Sequence, residues 1–182
     1  MDVDCVVEYF SFKEKMEFEE MLRKKHFEED KEDGTVICRW LYKGEEVDIM
    51  PTDEKYLGFT NRWYKPGIKN RVSFTLPNGR IVYIMSALYF VASKLEAITL
   101  RGGIDLRGSK DFEDVVYILN YCPDFTERYN KEGNKELKNF VTEAFMSFCK
   151  RPNIMEEIEC AMPYGEEDRS DIILDIFKSI CK

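Results

Sequence analysis

The 182-residue sequence holds a single histidine, His26, and no CxxC pair. A His-rich zinc site is excluded, because it needs imidazoles this chain does not have. A Ser-His-Asp triad would rest on His26 alone. That residue lies in Lys24-Lys25-His26-Phe27 at an expected helix end, where a positive charge complements the helix dipole. No uninterrupted apolar run approaches the ~20 residues of a membrane span. The start, Met1-Asp2-Val3-Asp4, lacks the basic and apolar pattern of a leader. The expectation is a cytoplasmic protein with no membrane partner. Repeats, low-complexity tracts and a long linker are also missing. The six cysteines form no metal-binding spacing and read as buried thiols of a reducing compartment.

What is present is acid. There are 35 acidic against 27 basic side chains, for a net charge of -8, which excludes a general nucleic-acid coat. The sum hides a partition. Residues 1–60 carry 9 bases and 17 acids, residues 61–112 carry 9 and 3, and residues 113–182 carry 9 and 15. A basic middle thus stands between acidic flanks. With 44% hydrophobic residues the chain has the makings of a packed core.

Alternation over residues 2–10 predicts a half-buried strand, with Val3, Cys5 and Val7 on one side and Asp2, Asp4 and Glu8 on the other. Ser11 and Glu14 form a capping-box pattern that opens a helix ending near His26. Residues 28–34 read as a polar turn. Residues 35–42 and 46–50 read as a hairpin about Lys43-Gly44-Glu45, and residues 52–70 as irregular. A second hairpin, 71–76 with 80–85, is signalled by Pro77-Asn78-Gly79. Helices are expected over 86–101 and 109–121, then over 124–131, 134–150, 152–162 and 166–181. The fold class is α+β, with a mixed or antiparallel sheet, flanking helices and a C-terminal helical region. The expected division is 1–85 and 86–182.

The chemistry lies in the carboxylates. Asp2 and Asp4 are two apart on a strand and so share a face, where like charges repel unless a cation lies between them. Mg²⁺ is the usual cation, being hard and oxygen-seeking. Asp48, between Val47 and Ile49, is costly to bury without a partner. The bland alternative is three solvated or separately paired acids. In the basic middle, Lys94 and Arg101 share one face of a helix whose other face is Leu88, Val91, Ala92, Leu95 and Ile98. Lys94 either binds phosphate or snorkels at the core edge. Arg101 either binds phosphate or complements the dipole. Asp111 and Asp114 either form salt bridges or hold Lys94 and Arg101 in place. Arg62, Trp63 and Tyr64 form an aromatic–basic loop that either stacks a base or packs into the sheet.

The order of these pieces resembles a known family. Asp-x-Asp strand, helix, hairpin and Val47-Asp48-Ile49-Met50-Pro51 are similar to the nucleotidyltransferase fold of the polymerase-β type. Gly58-Phe59-Thr60-Asn61-Arg62-Trp63-Tyr64, Ala92-Ser93-Lys94-Leu95-Glu96-Ala97 and the stretch from Arg107 to Val116 narrow the resemblance to bacterial nucleotidyltransferase-like proteins related to abortive-infection toxins. It covers roughly residues 2–120. The resemblance implies metal-dependent transfer of a nucleoside monophosphate from a nucleoside triphosphate to a hydroxyl acceptor, which is protein, RNA or a small molecule. Asp2, Asp4 and Asp48 would hold Mg²⁺ or Mn²⁺, and Asp48 would act as general base or its positioner. Lys94 would neutralise the triphosphate, and Arg101 and Arg62 would assist in binding it. In that family a Gly-Gly or Gly-Ser turn before the paired aspartates holds phosphates. Here only Met1 precedes Asp2, and Gly108-Ser109 lies downstream. The alternative expectation is therefore a catalytically inactive relative acting as a binding protein or as one partner of a toxin–antitoxin type pair.

Overall fold

The computed structural model describes residues 2–31, 35–102 and 105–182, and of Asp2 the backbone alone. The described residues form an α+β protein with eight α-helices and two small sheets, one of them mixed. The chain divides into two compact units, Met1–Lys69 and Asn70–Lys182. This division falls earlier than the expected 85/86 and assigns the second hairpin to the helical unit.

In the first unit, strand β1 (Asp2–Val7) leads into helix α1 (Phe12–Lys24). The predicted cap is present. Ser11 Oγ accepts from the Glu14 N–H, while the Glu14 carboxylate accepts from the Phe10 N–H at 2.7 Å. At the other end, Phe27 N–H donates to Leu22 O and His26 N–H to Arg23 O. That is a Schellman ending, and it forces His26 to φ 67°, a left-handed position usually given to glycine. His26 is therefore the turn residue that ends α1.

Strands β2 (Glu28–Glu29), β3 (Arg39–Tyr42) and β4 (Glu45–Pro51) follow. The sheet order is β1-β4-β3-β2, with β1 parallel to β4 and the other pairs antiparallel. Strand β3 is shorter than expected, because the Arg39 N–H donates back to Val36 O and closes a turn ahead of it. Part of the expected polar turn is β2 instead. Lys43 and Gly44 both have positive φ, 54° and 83°, the geometry a two-residue hairpin requires. One sheet face is apolar: Trp40 and Ile49 pack with Leu22 of α1, joined by Cys5, Val7, Phe18, Phe27 and Val47. Residues 52–70, expected to be irregular, contain a 3₁₀ turn, Glu54–Tyr56, and helix α2 (Tyr64–Lys69). Pro66 sits in the first turn of α2, where its missing N–H costs nothing.

The second unit starts with hairpin β5 (Val72–Thr75) and β6 (Ile81–Ile84). Then come α3 (Ala87–Leu100), α4 (Lys110–Tyr121), α5 (Phe125–Glu132), α6 (Lys135–Cys149), α7 (Ile154–Ala161) and α8 (Ser170–Ile180). Ser109 and Asn134 cap α4 and α6 through their side chains. The helices bury Leu88, Phe112, Phe125, Phe145 and Phe177 completely. Each such side chain contributes roughly 1.5–3 kcal/mol by leaving water. Among the described residues no helix is long and apolar enough to cross a membrane. The cysteines depart from the expectation of six buried thiols: Cys38 is buried, Cys160 is exposed and the other four are intermediate.

Candidate functional site

The face of the first sheet opposite α1 carries the charge. Register sets Asp4 beside Asp48 and Asp2 beside Glu46 across the parallel β1–β4 pair, and sets Arg39 beside Asp48 across β3–β4. Residues paired in this way share a face, on strands about 4.8 Å apart. The side chain of Asp2 lies outside the described residues. Asp4 is exposed, whereas the Asp48 side chain is only 12% exposed.

Asp48 meets a cation, and that cation is a side chain. Arg39 Nε donates to Asp48 Oδ1 at 2.8 Å and Nη2 to Oδ2 at 2.9 Å, a two-pronged pair. Its third nitrogen, Nη1, reaches Glu46 Oε2 at 2.8 Å. The partner that Asp48 demanded is thus supplied by Arg39, which sequence reasoning missed. The signal was present: a two-residue turn at Lys43-Gly44 fixes the register, and counting outward from it places residue 39 opposite residue 48. The negative charge of Asp48 also helps burial push the neighbouring Cys38 thiol up to about 11. Burial and Asp4 raise the Cys5 thiol.

The donor chemistry of this face suits a hard divalent cation, since Asp4 and Asp48 offer carboxylate oxygens from neighbouring strands. Among the described residues, however, no three His, Cys, Asp or Glu side chains converge as a metal group. Both oxygens of Asp48 are engaged by Arg39. A cation at Asp48 requires the guanidinium to give way, and Glu46 is the anchor to which it already holds.

The loop candidates resolve toward packing. Trp63 is 2% exposed and so offers no face to a base, and the Arg62 guanidinium lies over its ring at 5.1 Å. Thr60 Oγ1 donates to Pro51 O, and Asn61 Oδ1 accepts from the Trp63 N–H, so this loop is tied to the end of β4. Arg62 remains a surface cation beside it.

Lys94 and Arg101 belong to the second unit, on and just after α3. Lys94 Nζ lies 2.5 Å from Asp114 Oδ2 and 3.8 Å from Asp111 Oδ1, and 5.3 Å from the Phe90 ring centroid. Arg101 Nη1 lies 2.5 Å from Asp111 Oδ2. Asp111 and Asp114 thus form ion pairs that join α3 to α4, and the same contacts hold Lys94 and Arg101 in place. The Lys94 side chain is 18% exposed and that of Arg101 74%, so the lysine follows the core edge as a snorkelling residue does. A cavity of about 570 Å³ opens next to this pair, lined in part by Arg101, Gly102, Ser109, Lys110 and Asp111. No family model matches the chain, and neither curated proteins nor solved structures give a match. The nucleotidyltransferase resemblance therefore rests on the sequence motifs alone.

Proposed function

We propose that the chain is nucleotidyltransferase-like, and that the carboxylate face of β1 and β4 is its metal-binding side. One observation carries the reading: Asp4 stands directly opposite Asp48 on a neighbouring parallel strand, two residues after Asp2. Asp4 and Asp48, with Asp2, would hold Mg²⁺ or Mn²⁺, which when bound would offset charge on a nucleoside triphosphate. In the transfer, an acceptor hydroxyl oxygen bonds to the α-phosphorus, the bond to pyrophosphate breaks, and Asp48 takes or directs the hydroxyl proton. The resemblance assigns phosphate to Lys94, Arg101 and Arg62, of which Arg62 alone shares a unit with the carboxylate face, while Lys94 and Arg101 are engaged by Asp114 and Asp111 in the other.

A second reading has its own support. Arg39 already pairs with both Asp48 and Glu46, so Asp48 has a cationic partner without a metal. That favours a non-catalytic relative that binds a protein, as in a toxin–antitoxin type pair. Calorimetric titration of Mg-ATP, Mg-GTP and Mg-CTP separates the two. On the first reading at least one nucleotide binds only with Mg²⁺. Asp4→Asn and Asp48→Asn then each weaken it by about 10-fold or more, with circular dichroism unchanged. Nucleotide binding that persists unchanged in an Asp48→Ala, Lys94→Ala double variant would sink it. Absence of any binding, in the native chain and in Arg39→Met alike, supports the second.

A further inference from the structure

No residue in the two strands of the β5–β6 hairpin is buried. A two-stranded hairpin is marginal in water unless something packs on it. Register sets Val72 beside Ile84 and Phe74 beside Val82, so these four share one face. Val72, Phe74 and Ile84 are exposed on it. Exposed arginines stand just ahead of each strand, Arg71 before β5 and Arg80 before β6. The Arg71 guanidinium lies 4.8 Å from the Tyr83 ring centroid. The hairpin belongs to a tract, residues 55–95, that has seven bases and no acid in a chain of net charge -8.

The opposite charge gathers on α8 of the same unit. Residues 152–177 contain eight acids and one base, Arg169. That base is turned to Asn120, donating to its Oδ1 at 2.8 Å and to its backbone O at 3.1 Å. Helix α8 buries Ser170, Ile173, Phe177 and Ile180. Its outer face presents Asp171, Ile172 and Asp175, with Asp168 one turn ahead, all exposed. Lys178 lies 3.8 Å from Asp175. Like charges one turn apart repel, so this face is stabilised by added cations.

We propose that the β5–β6 hairpin docks on the outer face of α8 in a second copy of this chain. Each copy carries both surfaces, so a reciprocal exchange closes a two-fold dimer. Charge selects this occupant. Two hairpins do not face each other, because their arginines repel. Single-stranded nucleic acid would meet the arginines, but the apolar face holds one ring, Phe74, and so offers no run of stacking platforms. The outer face of α8 supplies both what the hairpin lacks: carboxylates for Arg71 and Arg80, and in Ile172 an exposed apolar side chain for the Phe74 face. Neither surface includes Asp4, Asp48 or the cations assigned to phosphate, so this inference stands apart from the reading of the carboxylate face.

Sedimentation velocity of the full chain, over a range of protein and salt concentrations, tests it. The expected species at low salt is a dimer. Raising the ionic strength from about 0.05 M to about 0.5 M weakens it by about 10-fold or more. The double variant Arg71→Glu, Arg80→Glu and the double variant Asp171→Lys, Asp175→Lys each weaken it by at least as much. Phe74→Ser weakens it without altering charge. Mixing the two double variants restores the dimer, because each hairpin then meets an α8 of opposite charge. All substituted positions are exposed, and circular dichroism confirms an unchanged fold. A native chain that stays monomeric at every concentration overturns the proposal. If that monomer instead retards a single-stranded oligonucleotide, the hairpin belongs to a polyanion. A dimer that survives either double variant, or a mixture that stays monomeric, also overturns it.

Discussion

At the scale of the residue, two of the described positions bear backbone geometry that their side chains disfavour. His26 takes φ 67° at the end of α1, and Lys43 takes φ 54° in the hairpin turn. A left-handed conformation costs an L-residue roughly 1–2 kcal/mol relative to glycine. His26→Gly removes that cost while keeping both Schellman hydrogen bonds, and Lys43→Asn places a tolerant residue beside Gly44. Each is expected to stabilise the first unit by about 0.5–1 kcal/mol, read as a higher urea midpoint with an unchanged slope. A lower midpoint for His26→Gly would mean that the imidazole makes a contact worth more than the backbone strain. Asp48 teaches a related lesson. Its character as a buried acid in need of a partner was legible from its apolar neighbours. The identity of the partner required pairing strands across a turn.

At the scale of the element, the caps and faces follow the sequence closely, and the ion pairs do not. Ser11, Ser109 and Asn134 cap the helices their positions announced, since capping depends on three adjacent residues. The pair that fixes the start of α7 joins Arg151, just ahead of the helix, to Glu157 within it. Arg151 Nε donates to Glu157 Oε2 at 2.6 Å, and Nη2 donates to Oε1. Glu157 is 4% exposed, and the guanidinium holds its carboxyl below the usual 4.5. Its lowered value in the folded state means that the pair stabilises above about pH 4.5, and that this contribution is lost as acid protonates it. Glu157→Gln is expected to cost about 3 kcal/mol at neutral pH. The gap from the native chain narrows as pH falls through the lowered value. Urea unfolding in a pH series checks this; a gap independent of pH would assign the loss to packing instead.

At the scale of the whole molecule, the two units differ in what holds them. In the first unit Leu22, Trp40 and Ile49 form a buried cluster with partly buried neighbours, and Cys38, Tyr56 and Trp63 are also buried. The second has completely buried side chains on α3 through α8, among them Leu88, Phe112, Phe125, Leu137, Phe145, Ile158 and Phe177. Small cores leave little surplus over chain entropy. Amide hydrogen exchange should therefore show β1, α1 and β4 opening at lower denaturant than α4 and α6. Equal protection in both units would show that they unfold as one. The apolar face that Leu88 to Ile98 forms on α3 was readable from its spacing. The division at residue 69 was not, because strands β5 and β6 carry the same local signals whichever neighbour they join.

The sequence by itself determined the α+β class, the hairpin turns, the capped helices and the acidic strands, because each follows from residues within a turn or a strand's alternation. Tertiary structure alone decided that Arg39 answers Asp48 and that Lys94 answers Asp114. It also decided that Trp63 is buried. Those pairings depend on which strand or helix lies alongside which. A charge carries no local sign of the partner that distant packing will bring to it.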